Sequence, residues 1–202
     1  RLMPHLHVSL QSANSRVLRA MKRHYQEKEV IDCLERIYAA SPDIFVGMDV
    51  IAGFPSETTE EHNSGVELLR RLPWTRLHVF PYSPREGTPA TRIKGLAPQH
   101  VRKERAKELM ALSQERHGLF VRKFLNRKVE DVLFETPHVV GGEEGSEGAS
   151  VYLTGHMPNY CRVMLGFKTL KEAEAHAKTI KSVYIDSLVP KPAQDWTLEG
   201  HL

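Results

Sequence analysis

Three apolar runs, "HLHVSLQS", "IFVGMDVIAGF" and "RLHVFPY", are separated by two stretches of helical period. No other feature of the 202-residue chain constrains its fold as strongly. In the first run His5, His7 and Ser9 alternate with Leu6, Val8 and Leu10, the period of a half-buried strand. The second, at 44–54, is apolar and β-branched, as a buried strand is. The third occupies 76–82. Between the first two, Val17, Leu18 and Met21 fall at helical spacing, and Val30, Ile31, Leu34, Ile37 and Tyr38 continue the stripe to about Ala40. Thr58 and Glu61 have the spacing of a capping box that opens a helix running to about Leu72. Strand–helix–strand–helix–strand with helices of crossover length predicts parallel βα units, whose ligand sites gather at the carboxyl ends of the strands.

Those three strand ends are chemically unusual: "SLQSANS", "AGFPSET" and "PYSPREGTP". Beyond them, Pro98 suits the first position of a helix over about 98–125, with Val101, Leu109, Leu112, Phe120 and Phe124 as its apolar face. From Arg127 the texture changes to short β segments around a flexible acidic stretch, "GGEEGSEG" (141–148), and residues 168–181 read as a short helix or a polar insertion. The expected organisation is an α/β part over 1–126, a small antiparallel β-barrel over 127–190 and a tail over 191–202. A strand that starts almost at residue 1 reads as beginning inside a fold. Open strand edges where further strands belong predict aggregation or a compensating dimer.

Composition excludes several classes. With 41% hydrophobic and 26% charged residues the chain is ordinary globular material. No apolar stretch reaches the roughly 18 residues of a membrane span. Cys33 and Cys161 make no CxxC pair and no Cys/His cluster of metal spacing, so a reducing, cytoplasmic setting is expected. G-x-S-x-G, H-E-x-x-H and P-loop signatures are missing. The net charge of +3 hides a split: residues 1–126 carry 20 Lys+Arg against 14 Asp+Glu, and 127–202 carry 8 against 11. Within 92–123 the ratio is 9 to 3, where a polyanion or only a solvated helix face would account for it.

His5 and His7 share one strand face, but without a third ligand nearby packing or hydrogen bonding is their ordinary role. Ser9 and Gln11 point to one side if alternation holds, and could bind a ribose or an amino-acid moiety or simply face water. Asp49 interrupts an apolar strand, so its carboxylate should be paired or functional. Gly53 before Phe54-Pro55 would let a planar ligand approach the backbone. Phe80 and Tyr82 could stack on or border such a ligand, although core packing fits Phe80 better than Tyr82. Arg85 beside Glu86 is either a weak surface pair or a clamp for phosphate or carboxylate.

In order and spacing, "LHVSLQS…VLRAMKRHY", "DVIAGFPSETTEEH" and "LHVFPYSPREGTPA" resemble the later half of the radical S-adenosylmethionine (SAM) domain of methylthiotransferases. The segments around "GHMPNYCRVML" resemble their terminal TRAM domain, and the likeness covers about residues 5–190. It is nearest to the branch acting on threonylcarbamoyladenosine at position 37 of tRNA. The resemblance implies a partial TIM-type barrel followed by a TRAM-like barrel. It implies SAM beside Ser9, Gln11, Asp49, Ile51, Gly53, Phe80 and Tyr82, with Arg23 meeting a carboxylate or phosphate. The tRNA anticodon stem-loop would meet Arg85, Arg102, Lys103, Arg105, Lys107, Asn159, Tyr160 and Arg162.

The family's CxxxCxxC, which holds the 4Fe–4S cluster that cleaves SAM, is not in this sequence, so this chain alone would be inactive and the cluster ligands are expected upstream. In the full-length reaction implied, one SAM supplies a 5′-deoxyadenosyl radical and another the methyl group. Two other readings stand beside this one: methylthiolation of a ribosomal protein, and a non-catalytic RNA-binding module.

Overall fold

The computed structural model describes residues 2–189 and 196–202. The chain divides into two compact units, meeting in sequence between Arg116 and His117. In the first, β1 (His5–Gln11), β2 (Phe45–Ala52) and β3 (Arg76–Pro81) form a three-stranded sheet in the order β1-β2-β3, with both pairings parallel. The crossovers carry α1 (Ser15–Ala20) and α2 (Glu27–Ala40) between the first two strands and α3 (Thr59–Arg71) between the last two. A 3-10 turn at Pro89–Arg92 precedes α4 (Gln99–Arg122). The parallel βα units expected from the alternation are what forms.

One face of this sheet is the core. Val8 and Leu10 of β1, Val46, Met48, Val50 and Ala52 of β2, and Leu77 and Val79 of β3 pack with Leu34, Val66, Leu69 and Leu109 of the helices. Val17 and Leu18 of α1 are fully buried. Thr58 caps α3 by accepting from Glu61 N at 3.2 Å, while Glu61 Oε2 accepts from Thr58 N at 2.9 Å, the capping box read in the sequence.

The helical stripe expected to run continuously from residue 17 to 40 is broken. Lys22 takes φ +57, a left-handed conformation that ends α1, and the Gln26 N–H donates to Glu29 Oε2 at 3.0 Å where α2 restarts. Ser15 and Glu27 stitch the two helix starts together: Ser15 N donates to Glu27 Oε1 at 2.7 Å and Glu27 N to Ser15 Oγ at 3.1 Å. Apolar periodicity runs straight through such a turn, because both helices bury the same side.

The second unit is a closed barrel in the order β4-β5-β6-β8-β7, with β4 at Arg127–Val140, β5 at Ser150–His156, β6 at Arg162–Phe167, β7 at Ile180–Val189 and β8 at Thr197–His201. A short helix, α5 (Leu170–Glu174), resolves the segment left between helix and insertion. Val132, Phe134, Leu153, Val163, Ile185 and Leu198 are among its buried apolar side chains. All pairings are antiparallel except β6 with β8, which are parallel. Of the expected tail, residues 191–195 lie outside the described residues, and Thr197–His201 form the strand that bridges β6 and β7. No finding supports the dimer expected from open strand edges.

Among the described residues, no helix is long and apolar enough to cross a membrane.

Candidate functional site

The sheet's second face is polar. On β1 it carries His5, His7 and Ser9, on β2 Gly47, Asp49 and Ile51, and on β3 Arg76, His78 and Phe80, the residues that alternate with the core set. Register places Asp49 opposite His78 and Ile51 opposite Phe80, whose ring is 53% exposed. Asp49, the one carboxylate in an apolar strand, is paired: its Oδ2 lies 2.9 Å from His7 Nε2. The rings of His7 and His78 are 5.2 Å apart, and His5 stacks on Phe45 at 5.0 Å.

His78 and Arg76 were not singled out in the sequence, although the alternation of "RLHVF" places both on Phe80's side. Burial lowers the pKa of His78 below the ordinary imidazole value, with Arg76 and His7 adding repulsion and Asp49 opposing. Burial likewise lowers His5, helped by His7 and His78.

The three strand ends differ from simple expectation. Register slips between Val8 and Gln11, and Gln11 has φ +65. This bulge interrupts the alternation on which the shared side of Ser9 and Gln11 was read. The Tyr25 hydroxyl secures it, donating toward the carbonyl oxygens of Ser9 at 2.7 Å and Leu10 at 3.0 Å. Arg23 is exposed on the turn that follows α1. At the second strand end Gly53 has φ +72, and a Cβ there would lie 2.5 Å from Arg102 Cγ, so only glycine fits both the backbone and the space. Its N–H donates to Glu57 Oε2 at 2.8 Å.

At the third strand end Tyr82 N donates to the Ala52 carbonyl at 2.8 Å, and its ring meets Phe54 edge-on at 5.4 Å. The Tyr82 hydroxyl is buried with no hydrogen-bond partner among the described residues. A buried hydroxyl left unsatisfied is where a ligand's polar atom or an ordered water would fit. Arg85 is exposed in the loop beyond, whose turn is held by Thr88 Oγ1 donating to the Arg85 carbonyl at 2.8 Å.

The basic residues of α4 separate into two kinds. Lys103 and Lys107 are exposed. Arg102 is half-buried and binds backbone, donating to the carbonyl oxygens of Tyr82 and of Ala97. Arg105 is buried, with Nη1 2.8 Å from Glu57 Oε2 and 3.1 Å from the Glu57 carbonyl. Its guanidinium is committed inside the fold.

In the barrel, the β5–β6 turn presents Tyr160, 65% exposed at φ +69, with its ring 5.5 Å from His156. Arg162 follows, half-buried at the start of β6. Asn159 is buried and shapes the turn, its Oδ1 accepting from Cys161 N at 3.2 Å.

An iron–sulfur cluster does not fit these residues. Among the described residues no group of three or more His, Cys, Asp or Glu side chains could hold a metal ion. Cys33 lies exposed on α2, and Cys161 is buried in the barrel, where desolvation pushes its thiol up to about 12.

A parallel βα sheet with one polar face, followed in sequence by a small closed barrel, defines a two-part chain of α/β plus β-barrel class. No protein-family model matches it. It is 40% identical over 143 residues to the threonylcarbamoyladenosine tRNA methylthiotransferase MtaB of Rickettsia prowazekii (strain Madrid E), covering 71% of this chain and 34% of that protein. It is 32% identical over 201 residues to the tRNA-2-methylthio-N(6)-dimethylallyladenosine synthase of Bacillus pumilus (strain SAFR-032), covering 100% and 36%. The MtaB protein of Bacillus subtilis (strain 168) is 34% identical over 164 residues, covering 81% and 35%. The chain belongs to the methylthiotransferase family, and it spans about a third of the length of the curated relatives it matches.

Proposed function

We propose that this chain is the part of a cytoplasmic tRNA methylthiotransferase that forms one wall of the SAM and substrate pocket and docks the tRNA anticodon stem-loop. The substrate is threonylcarbamoyladenosine. The observation that carries the pocket is the two-sidedness of the β1–β3 sheet: one face is core, and the other is polar and ends at the unsatisfied Tyr82 hydroxyl. A partial TIM-type barrel would present such a face inward.

SAM, when bound, supplies the radical and the methyl group. The residues here position it: Ser9 and Gln11 offer hydrogen-bonding groups at the β1 bulge, and Gly53 lets the adenine approach the β2 end. Ile51, Phe80 and Tyr82 supply apolar and aromatic surface, and Arg23 offers a charge to a carboxylate. Asp49 acts through His7 and not as a free carboxylate. For RNA, the exposed Lys103, Lys107 and Arg85 would meet phosphates, and Tyr160 and Arg162 of the TRAM-like barrel would make contacts of their own. Arg102, Arg105 and Asn159 hold these surfaces from within.

The test is a salt-titrated fluorescence anisotropy assay of this chain with an unmodified anticodon stem-loop. Micromolar binding that weakens as salt rises is the expected result. Binding that is missing, or indifferent to salt, overturns RNA docking by these residues and turns the reading toward a protein substrate.

A further inference from the structure

The end of β1 holds a backbone conformation that its own residues do not favour. Register with β2 runs from Val8 opposite Met48 to Gln11 opposite Val50, so β1 carries one residue more than its partner, and Gln11 sits at φ +65. A non-glycine residue in that conformation is strained, and the strain persists only where the surrounding structure over-determines it.

What over-determines it comes from another element. Successive carbonyls of a regular strand point to opposite edges, yet those of Ser9 and Leu10 both reach one donor, the Tyr25 hydroxyl, at 2.7 and 3.0 Å. Ser12 N donates to the same Leu10 carbonyl at 2.8 Å, closing the chain into a tight turn. Asn14 N donates to Ser12 Oγ at 3.2 Å, and Ser12 is buried. Tyr25 stands on the connection between α1 and α2, where Lys22 is left-handed and Arg23 N returns to the Leu18 carbonyl at 2.9 Å. Burial raises the Tyr25 phenol above its ordinary value, with Arg23 opposing, so at neutral pH the hydroxyl keeps the hydrogen it donates.

We propose that Tyr25 is a positioning residue for the SAM site: its hydroxyl holds the β1 bulge in the one conformation that fixes where Ser9 and Gln11 stand. The identity of the ligand rests on the function proposed above; the hold on the bulge does not. Tyr25 need touch no ligand atom. Hydrogen bonds weaken steeply beyond their ordinary length, so a shift of about 1 Å in the bulge is enough to lose the contacts of both side chains. Phenylalanine would fill the same space and lack only the donor.

The test compares the 202-residue chain with Tyr25→Phe, Gln11→Ala and the two together. SAM binding is measured by calorimetry, and amide hydrogen exchange is followed without ligand. Tyr25→Phe should weaken SAM binding about tenfold, the effect of one hydrogen bond felt through the groups it places. In the Gln11→Ala background the same substitution should cost less, about threefold, because one of the two side chains it places is gone. Exchange at Ser12, whose N–H lies in the turn that the hydroxyl holds, should accelerate more than exchange at the β2 amides, which report the fold as a whole.

Tyr25→Phe that binds SAM like the parent would overturn the proposal. So would a full tenfold loss that persists beside Gln11→Ala, or Ser12 exchange that only tracks β2. Failure of the pocket reading looks different, since the parent chain itself would then bind no SAM. In that case accelerated Ser12 exchange in Tyr25→Phe still supports the hold on the bulge, and unchanged exchange overturns it as well.

Discussion

Arg105 and Glu57 form an ion pair at 2.8 Å with side chains only 8% and 6% exposed. Glu57 Oε2 also accepts the Gly53 N–H, so one carboxylate joins the β2 strand end to α4. Removing one member leaves the other as an uncompensated buried charge, which costs about 3–5 kcal/mol. Glu57→Ala and Arg105→Ala should each lower stability by that amount in urea denaturation. Lys103→Ala and Lys107→Ala should change stability by less than about 0.5 kcal/mol and weaken RNA binding instead. If Arg105→Ala proved stable and selectively deficient in RNA binding, its internal role would be refuted.

Gly53→Ala meets two obstacles at once, a backbone at φ +72 and the Arg102 side chain at 2.5 Å. The left-handed conformation alone costs a non-glycine residue about 1–2 kcal/mol. The steric part is separable, because Arg102 is the far partner. A double-mutant cycle with Arg102→Ala should therefore recover some, but not all, of the loss. Strict additivity in thermal unfolding would show that the two residues do not meet.

On the barrel turn, Tyr160 and Asn159 are neighbours with opposite roles. Tyr160→Ala should leave stability nearly unchanged and remove about 1–3 kcal/mol of RNA affinity, the value of one stacked base. Asn159→Ala removes the acceptor for Cys161 N–H and should cost about 1 kcal/mol of folding stability. Anisotropy and denaturation measured on the same two variants decide both claims. The assignment fails if Tyr160→Ala binds RNA like the parent chain.

Much of this was legible in the sequence, and the exceptions have physical causes. Period-2 and period-3.6 patterns report burial, so β1, β2, β3 and the Thr58 cap could be read directly. The turn at Lys22 and the bulge before Gln11 are backbone events that leave the apolar pattern intact, and so stayed hidden. Arg105 looked like its neighbours Arg102, Lys103 and Lys107 because the partner that buries it, Glu57, lies on a distant loop. His78 and Arg76 lay in a run whose aromatic residues drew the reading, although the same alternation places them beside His7 and Asp49. Strand β8 is only five residues long, and its hydrogen-bond partners β6 and β7 are what make it a strand.

The two cysteines give a direct test of the packing of each unit. Cys33 is exposed on α2, and Cys161 is buried with its thiol pushed up to about 12 by desolvation. Because the thiolate is the reactive form, an alkylating reagent at neutral pH should modify Cys33 quickly and spare Cys161 until the barrel opens. Mass spectrometry should find one modified thiol under native conditions and two in denaturant. Rapid native labelling of Cys161 would mean that the turn at 157–161 is not closed as described.

The polar sheet face should also make stability depend on pH. His78 and His5 have folded pKa values below the ordinary imidazole value of about 6.5, each chiefly through burial. Above that value both are neutral in the folded and unfolded chain, and neither contributes a dependence. As pH falls below it the unfolded chain takes up protons that the folded chain resists, so stability declines with acidity until the folded groups protonate as well. The groups facing them are His7 on β1, Asp49 on β2 and Arg76 on β3; of these Asp49 opposes the decline, while Arg76 and His7 deepen it. Urea midpoints measured from neutral pH downward should fall for the parent chain and fall less for His78→Gln. A variant whose pH profile overlays the parent would remove His78 from the face's electrostatics.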